Sequence, residues 1–229
     1  MKPLFKESIA KRIEASGIVA VVVIDRVEHA VPLARTLLAT GVDVMELTLR
    51  TPTALPALAT IVREVPEMLV GAGTVTDVDQ VSEAVEAGAA FGVAPGTNRK
   101  VLAAAREAGL SFAPGVLTPS DIEQAMEEGC RLLKFFPAEI AGGLEYIRMV
   151  TGPYAHLGLR LIPLGGLNAT NMLKYLGDPL VLALGGSWLA PRELIQAEDW
   201  PQITQRVLQA TQAIQQQRSS SNPRRPRSY

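Results

Sequence analysis

Eight short aliphatic runs recur along the chain, separated by segments with helical patterning. The runs are GIVAVVVI (17–24), VMELTL (44–49), LVGAGTV (69–75), FGVAP (91–95), SFAPGVL (111–117), RLLKFFP (131–137), LRLIPLGGL (159–167) and LVLALGGS (180–187). Between them lie Ala-, Glu- and Leu-rich stretches such as HAVPLARTLLAT and VDQVSEAVEAGAA. Several stretches open on capping residues, Asp77, Asn98, Ser120 and Asn168. Several close on glycine, at Gly41, Gly88, Gly109 and Gly129. Alternation of this kind, at roughly 20–25 residues per unit, implies parallel strands joined by right-handed crossovers. Eight such units in 229 residues predict an α/β chain folded as a closed (β/α)8 TIM barrel. The rival is a doubly wound open sheet. Its dinucleotide-binding version is disfavoured because no G-x-G-x-x-G follows the first run. Segments 4–15 and 200–217 predict an extra helix before the barrel and another after it.

Composition bounds the partners. Apolar residues make up 48% of the chain and aromatics 5%, so the core is aliphatic. Four of the 22 basic residues, Arg218, Arg224, Arg225 and Arg227, sit in RSSSNPRRPRSY. The remainder carries 18 basic and 23 acidic residues, a net charge of −5. That balance gives no reason to expect nucleic acid or an anionic membrane as partner. The chain therefore divides into one domain, 1–217, and a disordered basic tail, 218–229. The single cysteine, Cys130, cannot form an internal disulfide, which fits a cytoplasmic protein. MKPLFKESIAKRIEAS has the pattern of an amphipathic helix and not of a signal peptide. The apolar run 18–24 is too short to span a bilayer. The two histidines, His29 and His156, have no ligand partner at useful spacing, so no metal site is expected. A G-x-S-x-G nucleophile elbow is also missing.

Polar residues inside apolar strands carry the chemistry. Strand side chains alternate with period two. In VMELTLR, Met45, Leu47 and Leu49 share one face and Glu46, Thr48 and Arg50 the other. If the apolar face meets the helices, the polar set points into the barrel, with Arg50 at or beyond the strand end. The same parity groups Leu132, Lys134 and Phe136. Lys134 and Glu46 then enter one interior. A charged amine is expensive to desolvate, and a neutral one is a nucleophile toward a ketone, with which it forms a Schiff base. A structural Lys–Glu pair, or a lysine snorkelling from a strand end, fits the pattern as well. Thr74 ends the third run with a hydroxyl at the rim where barrels bind ligands. The last two runs end in glycine pairs, Gly165–Gly166 and Gly185–Gly186, the second followed by Ser187. Exposed backbone N–H groups at such turns form anion sites, and barrels often hold phosphate after strands seven and eight.

Together GIVAVVV, ELTLRTP, GAGTV, APG, LKFFPAE, the GG of PLGG, and LGGSW resemble the 2-keto-3-deoxy-6-phosphogluconate and 4-hydroxy-2-oxoglutarate aldolase family, in family order over about 17–191. The resemblance implies a (β/α)8 barrel, a homotrimer, and a metal-independent class I aldolase that needs no cofactor. It implies a small-molecule 2-oxo acid substrate, phosphorylated in the phosphogluconate enzymes. Cleavage would yield pyruvate with glyceraldehyde 3-phosphate, or with glyoxylate from 4-hydroxy-2-oxoglutarate. By motif, Lys134 matches the Schiff-base lysine and Glu46 the general acid/base. Arg50 and Thr74 match the residues holding the pyruvate carboxylate, and Pro95 and Phe136 the pocket wall. Gly165, Gly166, Gly185, Gly186 and Ser187 match the phosphate loops. One position departs: family members commonly read PTGG where this chain reads PLGG. Leu164 replaces a substrate-facing hydroxyl, as in a related branch acting on the galactonate epimer. The departure bears on C4 stereochemistry and on substrate choice. The alternatives are a 2-keto-3-deoxy-6-phosphogalactonate aldolase, another phosphate-binding barrel isomerase or synthase, and a non-catalytic barrel.

Overall fold

Each aliphatic run forms a strand, and every strand pairing is parallel. The computed structural model describes residues 3–220. The strands are β1 (Ile18–Val22), β2 (Val44–Thr48), β3 (Leu69–Gly73), β4 (Phe91–Val93), β5 (Ser111–Ala113), β6 (Gly115–Val116), β7 (Leu132–Phe135), β8 (Arg160–Pro163) and β9 (Leu184–Gly186). They form a six-stranded sheet in the order β5-β4-β3-β2-β1-β9 and a three-stranded sheet in the order β6-β7-β8. Eight runs give nine strands because Pro114 divides the fifth. Proline has no N–H for a ladder, and the Pro114 carbonyl accepts instead from the Lys134 N–H at 2.9 Å. The chain leaves β4 at Ala113 and joins β7 at Gly115. The eighth run is shared in the same way. Val181 bridges to Leu161 of β8, while Leu184–Gly186 pairs with β1. Both sheets therefore meet along these two runs.

The helices are α1 (Glu7–Ser16), α2 (Ala30–Ala39), α3 (Ala54–Glu64), α4 (Val78–Glu86), α5 (Arg99–Glu107), α6 (Pro119–Glu127), α7 (Gly143–Thr151), α8 (Met172–Leu176), α9 (Arg192–Gln196) and α10 (Trp200–Ser220). Asp77 and Asn98 cap α4 and α5 as expected, accepting from Gln80 N–H and Lys100 N–H. The other two expected caps differ. Thr118 rather than Ser120 caps α6, because Asp121 completes a capping box with it. Asn168 lies before a turn, and α8 starts only at Met172. Helices α2, α4, α5 and α6 are followed by Gly41, Gly88, Gly109 and Gly129, all with positive φ.

Strand parity divides the core into two layers. Met45, Leu47, Leu133 and Phe135 pack with the helices. Val19, Val44, Val93, Ala113, Leu132, Ile162 and Leu164 face the opposite way and pack together with Phe5, Ala10 and Ile13 from the N-terminal segment. Helix α1 thus closes one end of the inner layer. The expected domain end at 217 falls inside α10, which runs to Ser220. Arg218 there donates to the carbonyls of Glu14 and Ala15. The rest of the expected tail, 221–229, lies outside the described residues. Among the described residues no helix is long and apolar enough to cross a membrane.

Candidate active site

Glu46 and Lys134 are the two charged side chains that parity turns into the inner layer from β2 and β7. Lys134 Nζ donates to Glu46 Oε1 at 3.0 Å. Lys134 is 6% exposed and Glu46 3%. Burying two such groups is tolerated because each satisfies the other, and removing either leaves an isolated polar group. Both line a cavity of about 10 Å³ with Phe5, Ile13, Val19, Phe91, Val93, Ala113, Ile162 and Leu164. Apart from the carboxylate, the residues that line this cavity with the lysine are apolar.

A neighbouring strand fixes the carboxylate. A Cβ on Gly73 would stand 2.6 Å from Glu46 Cγ, so the Glu46 side chain lies across the bare backbone of β3. Gly73→Ala is expected to push Glu46 off the lysine. A misplacement of about 1 Å costs on the order of a hundredfold in turnover. Steady-state kinetics with a parallel melting curve measure it; wild-type kcat would show that Glu46 has room to move without consequence.

The other expected residues stand past the ends of the strands. Arg50 is exposed beyond β2; its Nε donates to Thr48 Oγ1 at 3.3 Å, and Thr48 Oγ1 donates to the Val22 carbonyl. Among the described residues no carboxylate pairs with Arg50. Thr74 follows β3 with φ +61°, a conformation rare for a β-branched residue and costing about 1–3 kcal/mol. Its hydroxyl has no protein partner among the described residues. Pro95 is exposed beyond β4. Phe136 is 39% exposed, with its ring centroid 5.8 Å from Lys134 Nζ, within cation–π range. Leu164 is buried in the inner cluster, and its side chain fills the space above Gly185. Ser187 is exposed past β9. The buried pair, Phe136 and Leu164 thus form one cluster, while Arg50, Thr74, Pro95 and Ser187 are rim positions.

Residues that the sequence reading had not singled out hold the turn after β8. Gly165 and Gly166 have φ +92° and +82°. The Leu164 carbonyl accepts from Ala138 N–H at 2.7 Å, and the Gly165 carbonyl from Glu139 N–H at 3.0 Å. The Gly166 carbonyl accepts from Asn171 Nδ2 at 3.1 Å. In a trans peptide the N–H points opposite to the carbonyl. The Gly165 and Gly166 N–H groups therefore point away from 138–139, and neither has a protein partner among the described residues. Glu139 was visible only as the last letter of LKFFPAE; no local pattern marks Tyr175, which hydrogen-bonds to it.

Other reactive groups are less suited. Cys130 is fully buried, and burial pushes its thiol up to about 12, so it stays protonated. Among the described residues no cluster of three or more His, Cys, Asp or Glu side chains is arranged to hold a metal ion.

The chain resembles several known proteins. The family described as "Aldolase: KDPG and KHG aldolase" matches residues 9–206. A 2-dehydro-3-deoxy-phosphogluconate aldolase of Dickeya dadantii is 42% identical over 200 residues, covering 87% of this chain and 93% of that protein. A KHG/KDPG aldolase of Escherichia coli K12 is 40% identical over 208 residues, covering 91% of this chain and 97% of that protein. The structure of a KDPG aldolase from Legionella pneumophila, with pyruvate captured as a covalent carbinolamine, superimposes with a TM-score of 0.82 at 37% identity, covering 87% of this chain and 96% of that one. On the family match and these identities, the chain belongs to the KDPG and KHG aldolase family and is a carbon–carbon lyase of the aldolase type.

Proposed function

We propose that this aldolase cleaves a 2-keto-3-deoxy-6-phospho-sugar acid to pyruvate and glyceraldehyde 3-phosphate, through a Schiff base on Lys134, and that it also accepts 4-hydroxy-2-oxoglutarate. The observation that carries the reading is the buried 3.0 Å contact between Lys134 Nζ and Glu46 Oε1. Lys134 attacks the C2 ketone. Glu46 protonates the carbinolamine hydroxyl, which leaves as water, and a protonated imine remains. Glu46, directly or through a water, then removes the C4 hydroxyl proton. The C3–C4 bond breaks, its electrons pass to the imine, and the aldehyde leaves. Protonation of the enamine at C3 and hydrolysis of the imine release pyruvate and free Lys134. Arg50 and Thr74, whose guanidinium has no acidic partner and whose hydroxyl has no protein partner among the described residues, hold the substrate carboxylate. Pro95 and Phe136 wall the pocket.

The phosphate end falls to the two glycine turns. Gly165 and Gly166 offer N–H groups whose carbonyls are tied elsewhere, and Ser187 adds a hydroxyl. Leu164, seated over Gly185, brings the two turns together. We further propose that the two sheets close as one eight-unit barrel, that the enzyme works in the cytoplasm as a homotrimer, and that it needs no cofactor.

Leu164 favours a second reading, a phosphogalactonate aldolase, because an aliphatic side chain there gives the C4 region no hydroxyl. Cleavage assays with phosphogluconate-type, phosphogalactonate-type and hydroxyoxoglutarate substrates decide between them. The primary reading predicts the highest kcat/KM on the first; higher kcat/KM on the second replaces it with the alternative. Leu164→Thr should shift the ratio between the two epimers toward the gluconate by roughly tenfold or more, the scale of one hydroxyl contact. An unchanged ratio would exclude this position as the selector.

A further inference from the structure

Glu139 sets a carboxylate against the turn that is read above as the phosphate site. Its backbone N–H holds the Gly165 carbonyl at 3.0 Å. Its Cβ and Cγ lie 2.6 and 3.2 Å from where a Gly166 Cβ would stand. A mobile carboxylate so placed would repel a phosphate at the same turn. It is not left mobile. The Tyr175 hydroxyl, on α8, donates to Glu139 Oε1. Tyr175 is 0% exposed, so its ring is fixed by packing on every side. Burial and the adjacent carboxylate both push the phenol above its ordinary range, so it stays a donor. The bond spans two segments, the loop after β7 and the helix after β8.

We propose that Tyr175 is a positioning residue that holds the Glu139 carboxylate away from the glycine turn, and that this restraint sets the preference for phosphorylated over unphosphorylated 2-oxo acids. The proposal rests on the reading of Gly165 and Gly166 as the phosphate site. Tyr175→Phe removes one oxygen and keeps the ring. It frees the carboxylate and leaves the backbone bonds of the turn in place. Glu139→Gln added to that variant keeps the shape and removes the charge.

The test measures kcat/KM for a phosphorylated 2-keto-3-deoxy sugar acid and for its unphosphorylated counterpart, in wild type, Tyr175→Phe, and Tyr175→Phe/Glu139→Gln, each with a melting curve. In wild type the ratio of the two should be well above one. In Tyr175→Phe the ratio should fall roughly fivefold, the scale of two like charges a few ångströms apart in a largely aqueous setting, with KM for the phosphorylated substrate rising. The double variant should restore most of the ratio. A purely structural tyrosine would give a ratio that the double variant does not restore, and that result overturns the proposal. An unchanged ratio in Tyr175→Phe overturns it too, while leaving the phosphate site intact. A wild-type ratio near one overturns the phosphate reading itself, and the proposal with it.

Discussion

Lys134→Ala lowers kcat/KM for aldol cleavage by at least about a thousandfold, the equivalent of about 4 kcal/mol in the barrier. In the proposed mechanism the Lys134 amine bonds to substrate, so no neighbouring group takes its place. Among the described residues, Lys6, Lys11, Lys100 and Lys174 all lie outside the inner layer. The substitution also has a structural consequence. Glu46 is left buried without its partner, a loss of about 3–5 kcal/mol in stability for such a pair. Melting temperature and activity therefore both fall, and activity must be read where the variant is folded. The double variant Lys134→Ala/Glu46→Gln separates the two effects. It should recover part of the stability, because no unpaired carboxylate remains, and none of the activity. Full activity in folded Lys134→Ala would contradict the assignment.

Glu46→Gln gives the second large effect. The amide is nearly isosteric with the carboxylate, and its oxygen still accepts from Lys134. What it cannot do is carry protons. Turnover should fall by about a hundred- to ten-thousandfold, the range of a general acid–base group. Pyruvate affinity should change far less, since the amine and the residues proposed to bind the carboxylate are untouched. The measurement is kcat for cleavage alongside a pyruvate dissociation constant from calorimetry. Turnover within about threefold of wild type would remove Glu46 from the proton path. Loss of both by equal factors would assign it to binding.

Much of this site was legible in the sequence, for physical reasons. Period two in a strand is rigid enough that counting from Leu47 places Glu46 on the opposite face, and counting from Leu133 does the same for Lys134. The structure agrees at both positions. Helix ends marked by glycine were legible because few other residues adopt positive φ there. The division of the fifth run at Pro114 was foreshadowed by the proline itself, but the sheet each half joins depends on distant strands. The α6 cap was misread because Ser120 and Thr118 are both capping types, and only the bond with Asp121 separates them. Tyr175 and Glu139 lie 36 residues apart. No local periodicity links them, so a contact of that range becomes visible only once β7 and β8 are side by side. Leu164 was flagged by motif, whereas its packing over Gly185 needed the fold.

The most direct test of the lysine chemistry is borohydride reduction in the presence of pyruvate, followed by peptide mass analysis. Reduction of a pyruvate imine adds about 72 Da to the lysine that bears it, by the atom balance of imine formation and hydride addition. The account predicts that adduct on the peptide containing Lys134, at near one equivalent per chain, and its loss in Lys134→Ala. No adduct, or an adduct on another lysine, would contradict it.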